Sequence, residues 1–198
     1  MIKGRKHKIR IFLSCTFRDM NIEREELETR VFPELRTFCE KHNVSIEAID
    51  LGWEAVHFDG NPNEALSMCL AHVFQCTYFI GILGECYGSE FENPSTLLLN
   101  KYPWLDSRKG RSFVELEFVC GVLGENPTAN HSFFYMRDQT EANRVDQNDS
   151  QKRKLISLKK EIKLSGAVVR EGIEIQCFAD IVYCDLIDAI TEDFSIGA

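Results

Sequence analysis

The run Thr77–Leu83 (TYFIGIL) constrains this chain more than any other segment, because it is apolar over the full length of a strand. A strand apolar on both sides is buried on both faces, and that is the condition of a parallel sheet covered by helices. Its surroundings agree. Ile9–Ser14 (IRIFLS) and His131–Met136 (HSFFYM) are short apolar runs, and Val44–Asp50 (VSIEAID) alternates as a strand does. Ile173–Phe178 is expected to be a fifth strand.

Helical patterns fall between these runs. The first spans about Asn21 to Lys41, with Asp19 as its expected cap and a stripe of Ile22, Leu27, Val31, Leu35 and Phe38. Pro33 lies inside that stripe and should kink or restart the helix. Asn61-Pro62 is a cap followed by proline at the first helical position, which starts a helix over Asn63–Gln75. Ser112 caps Phe113–Leu123. Gln151–Leu164 is basic and amphipathic and closes at Gly166, and Asp180–Asp193 is the last helix. Gly84–Gly110 and Gln139–Ser150 are expected to be irregular.

Five strands alternating with five helices make a doubly wound α/β domain. Right-handed crossovers favour a flavodoxin-like sheet of five mainly parallel strands in the order 2-1-3-4-5. Residues 1–8 form a basic N-terminal extension and 9–194 the domain. Ligands in such sheets gather at the carboxyl ends of the strands, near the point where the order reverses. Three segments converge there: Ser14–Asp19, Asp50–Trp53 and Gly84–Gly88.

Composition narrows the class. With 44% hydrophobic residues and 14 Phe among 198, the chain can fill a core. No stretch approaches a membrane span, and Met1–Arg10 has five Lys/Arg without the apolar centre of a signal peptide. A net charge of -8 argues against nucleic acid as the partner of this domain. Eight cysteines include no CxxC pair, and most lie in apolar runs, so reduced core thiols in a cytoplasmic protein are expected, without zinc. The P-loop, GxGxxG, HExxH and GxSxG motifs are absent, and the five His show no ligand spacing.

The helix Phe113–Leu123 is apolar around nearly its whole circumference, which implies burial. Glu115 and Glu117 nevertheless sit in its first two turns, pointing to different sides. A buried carboxylate needs partners or a raised pKa. Two readings stand: both glutamates serve the helix N-terminus, or Glu117 is functional, with Gly121 one turn on leaving room beside it. Ser14-Cys15-Thr16-Phe17-Arg18-Asp19 joins hydroxyls, a cation and a helix start, which suits either an anion cradle or an ordinary capped turn. Trp53 suits stacking on a base or packing. Lys152, Arg153, Lys154, Lys159, Lys160 and Lys163 form a solvated or docking face.

In order, RIFLSCTFRDMNIEREEL, VFPELR, AIDLGW, FIGILGECYG and GRSFVELEF resemble the TIR-like domain of NACHT and WD-repeat proteins, in the STAND family that includes the telomerase-associated protein component. The resemblance runs from about Arg10 to Met136. It implies an effector or signalling domain of a STAND-type NTPase receptor, with NACHT and WD-repeat parts elsewhere in the parent and self-association through TIR-like surfaces. It further implies NAD as substrate, cleaved at the nicotinamide–ribose bond by a glycohydrolase or cyclase when oligomerised. Glu117 matches the catalytic glutamate, with Glu115 in reserve. Ser14, Cys15, Thr16, Phe17, Arg18, Trp53, Tyr87 and Ser112 would line the NAD cleft. Two positions depart from the family pattern: Gly52 replaces an Arg in the usual Asp-x-Arg-Trp-Gly, and Phe113 replaces a Trp before the glutamate. The competing expectation is a non-catalytic self-association module.

Overall fold

The computed structural model describes residues 7–16, 19–51, 60–137 and 148–196. Five strands form one sheet: β1 (His7–Cys15), β2 (Val44–Asp50), β3 (Tyr78–Leu83), β6 (His131–Met136) and β7 (Val168–Glu171), in the order β2-β1-β3-β6-β7. Every pairing in it is parallel. Counting only its own strands, this is the 2-1-3-4-5 order of the flavodoxin-like fold. The order reverses between β1 and β3, where Ser14 stands opposite Gly81 in register.

The sheet separates two cores, and the two-residue alternation of each strand decides which side chain joins which. Ile9, Ile11 and Leu13 of β1, with Ile80 and Ile82 of β3, pack against a layer holding Leu27, Leu35 and Val182. That layer comprises α1 (Asn21–Glu26), the π-helical turn Leu27–Val31, α2 (Phe32–Lys41) and α7 (Ile175–Phe194). Phe12, Phe79 and Phe134 face the other way, onto Cys69, Phe118 and Leu158. Those residues belong to α3 (Pro62–Val73), α5 (Phe113–Phe118) and α6 (Asp149–Leu164). All six residues of β3 are buried, as its sequence requires.

Several local expectations are corrected. The fifth strand is Val168–Glu171, not Ile173–Phe178; Ile175 already opens α7. The region of Ile173, Ile175 and Phe178 is apolar because it packs on the first core, whereas β7 lies at the sheet edge and is mostly exposed. Asp19 does not cap α1, whose N-cap residue Met20 makes no side-chain cap bond. Pro33 brings no restart: the backbone stays helical from Asn21 to Lys41, and a π-helical turn over Leu27–Val31 just before the proline takes up the bond its missing N–H would have made. Gly84–Gly110 is partly regular, with a short antiparallel ribbon of β4 (Glu90–Phe91) and β5 (Arg111–Ser112), and α4 (Thr96–Lys101) between them.

Other expectations hold. The Asn61 side chain accepts the N–H groups of Asn63 and Glu64, and the Ser112 hydroxyl accepts that of Glu115. Cys39, Cys69, Cys76 and Cys86 are buried, but Cys177 and Cys184 are exposed on α7 and do not serve the core. Much of the expected loop Gln139–Ser150 lies outside the described residues. Among the described residues, no helix is long and apolar enough to cross a membrane.

Candidate functional site

Ser14 is the second-last residue of β1 and shares the face of Phe12, so its hydroxyl points toward α3 and α5. The long crossover after β3 returns through β5, and Ser112 starts α5 there. Glu117, in the second turn of α5, faces back toward the sheet. The Ser14 Oγ donates a hydrogen bond to Glu117 Oε2. The Cys69 thiol on α3 donates a second one to the same carboxyl group. Both residues are buried, Ser14 at 1% exposed and Glu117 at 9%.

Burial pushes the Glu117 carboxyl up to about 7 from an ordinary 4.5, although the Ser14 and Cys69 hydrogen bonds pull it down. The negative charge of Asp50, the last residue of β2, adds to the rise. Among the described residues, no Lys or Arg forms an ion pair with Glu117. The site therefore holds a buried acid poised between its two forms near neutrality. Such a group can receive or release a proton, or face a developing positive charge.

Glu115 is held differently. Its Oε2 accepts a hydrogen bond from the Tyr87 hydroxyl, which in turn lies 3.3 Å from the Ser112 N–H that it accepts. Its Oε1 lies 3.3 Å from Arg111 and 4.0 Å from Arg108. Burial first, and then Glu115 itself, raises the Tyr87 phenol above its usual range. Tyr87 and Ser112 are buried in this cluster with Glu115.

Cys15 and Thr16 follow Ser14, but Cys15 turns to the α1 side of the sheet. Burial drives its thiol well above the ordinary range. The Thr16 hydroxyl donates to Asp19 Oδ1. Phe17, Arg18, Gly52 and Trp53 lie outside the described residues. Gly121 leaves no room beside Glu117: a Cβ there would lie 2.7 Å from the Phe79 ring. Phe79 fills the space the glycine opens. Among the described residues, no group of three His, Cys, Asp or Glu could hold a metal ion.

The sequence reading missed Cys69, Glu23, Arg24 and Arg137. Cys69 carries no local signal, since it belongs to the buried stripe of α3. Glu23 and Arg24 did carry one. They lie four and three residues before Leu27, on the buried side of the helix, where charges demand partners.

Residues 10–177 match the family described as Domain of unknown function (DUF4062). The chain belongs to the DUF4062 family. DUF4062 relatives bear out the resemblance to the TIR-like domain of NACHT and WD-repeat proteins. The chain is 36% identical to rat Telomerase protein component 1 over 66% of its own length and 5% of that protein. A TPR repeat-containing protein of Dictyostelium discoideum is 29% identical over 97% of the chain and 13% of that protein. Mouse NACHT and WD repeat domain-containing protein 2 is 24% identical over 72% of the chain and 9% of that protein. This DUF4062 chain thus spans a small part of each relative. The solved structure of a Clostridium botulinum CMP N-glycosidase aligns over 89% of the chain and 98% of its own, at 10% identity and a TM-score of 0.33.

Proposed function

We propose that this DUF4062 domain is the TIR-like effector part of a larger cytoplasmic signalling receptor, and that clustered copies cleave NAD at the nicotinamide–ribose bond. Relatives that combine such a domain with NACHT, WD or TPR repeats support the signalling context. Glu117 supports the chemistry: a buried acid, hydrogen-bonded by Ser14, at the carboxyl edge of the sheet beside the order reversal.

In this reading the C1′–N bond breaks and its electron pair leaves with neutral nicotinamide. Positive charge then develops on the ribose ring. The ionised Glu117 carboxylate faces that charge, and Ser14 fixes its orientation. Water adds at C1′ and its proton passes to Glu117 or solvent, giving ADP-ribose. Attack by an adenine nitrogen in place of water gives the cyclic product. With its carboxyl raised to about 7, Glu117 has both its protonated and its ionised form within reach at neutral pH.

The competing reading is a self-association module in which the Ser14–Glu117 bond only anchors α5 to the sheet. Chromatographic detection of nicotinamide from concentrated, artificially clustered protein separates the two. Release that scales with clustering supports cleavage, and intact NAD supports the module.

A further inference from the structure

Three charged side chains within six residues tie together the ends of four adjacent strands. Asp19 Oδ2 accepts the backbone N–H groups of Glu85 at 2.8 Å and Cys86 at 2.9 Å, in the loop after β3. Its Oδ1 accepts the Thr16 hydroxyl, in the segment leaving β1. Glu23 Oε1 lies 2.7 Å from Arg137 Nη1, just past β6, and Arg137 Nη2 lies 3.9 Å from Asp19. Arg24 Nη2 lies 2.6 Å from Asp50 Oδ2, at the end of β2. At Gly84 a Cβ would collide with both Met20 and Asp19, so the β3 loop has been brought against this group as closely as a backbone allows.

These charges are expensive to bury. The side chains of Asp19 and Glu23 are 3% and 4% exposed. Buried ion pairs contribute little net stability, since desolvation offsets most of their attraction, but they fix geometry. The geometry fixed here is that of the edge where Ser14 and Glu117 meet. We propose that Asp19, with Glu23 and Arg24, is a positioning residue for the Glu117 site, holding Thr16, the loop after β3 and Arg137 together so that Glu117 stays enclosed against Ser14 and Cys69. The inference rests on a functional Glu117, but its first two readouts do not depend on NAD cleavage.

Asp19 makes its contacts with Thr16, Glu85, Cys86 and Arg137 and none with Glu117, so a change at Glu117 on replacing Asp19 is read through the loops that Asp19 holds. The test compares wild type, Asp19→Ala and Asp19→Asn by amide hydrogen exchange and by an NMR titration of the Glu117 carboxyl. In Asp19→Ala, exchange at Glu85 and Cys86 should rise about tenfold or more. The Glu117 midpoint should fall from about 7 toward 4.5 as water reaches it. Asp19→Asn keeps an acceptor oxygen and should give intermediate values on both; it carries the test alone if the alanine variant does not fold. Clustered Asp19→Ala should also lose kcat on NAD more than it raises KM. Unchanged exchange overturns the clamp. Faster exchange with an unmoved Glu117 midpoint, or an unmoved kcat in active protein, overturns its positioning role. NAD left intact by clustered wild type would instead overturn the cleavage reading, with the first two readouts still deciding the clamp.

Discussion

Glu117 and Glu115 sit two residues apart in one short helix, yet their surroundings give them opposite expectations. A Glu117 carboxyl raised to about 7 favours the folded state while it is protonated. Below about pH 4.5 it is neutral in both states; as pH rises to about 7 the unfolded chain ionises first and stability is lost. The loss is on the order of 3 kcal/mol. Glu117→Gln cannot ionise, so its stability relative to wild type should grow between pH 4.5 and 7 and level off above. Denaturant unfolding of both proteins across that range measures it, and parallel profiles would contradict it. Glu115→Gln removes a buried charge from between Tyr87 and Arg111 and should cost about 2 kcal/mol or more at neutral pH, with the Glu117 titration unmoved. The sequence raised the pair because charges in an all-apolar helix need an explanation. It could not supply Cys69, since a cysteine in a buried stripe looks like any other small apolar residue.

The central strands and helices were legible because they carry strong patterns. TYFIGIL has no exposed alternative, and Asn61-Pro62 and Ser112 announce helix starts that the backbone then uses. Elements whose pattern is set by neighbours were misread. β7 is a mostly exposed edge, so VVRE lacks an apolar run, while Ile173, Ile175 and Phe178 owe their apolarity to the core beneath α7. The same packing gives a prediction within β3. A Cβ on Gly81 would sit 2.5 Å from the Phe134 ring and 3.1 Å from Phe118, both of which are fully enclosed. Gly81→Ala should therefore destabilise the fold by roughly 1–3 kcal/mol, read as a lower midpoint in chemical denaturation at unchanged slope. A midpoint equal to wild type would mean that the two rings can move aside.

At the scale of the whole molecule, a parallel sheet brings the ends of strands far apart in sequence to one edge, and there the chain concentrates its buried polar groups. Ser14, Asp50, Asp19 and Arg137 come from four segments, and Glu117 and Glu23 meet them from opposite faces of the sheet. NAD cleavage as proposed needs this edge to be a catalytic site completed when copies come together. Its most direct test is NAD consumption by wild type and Glu117→Gln, each compared as dilute monomer and as protein clustered on a scaffold. Clustered wild type should release nicotinamide and the dilute monomer little, and clustered Glu117→Gln that still melts cooperatively should lose about 100-fold or more. NAD left intact by clustered wild type, or full activity in the Gln variant, would contradict it.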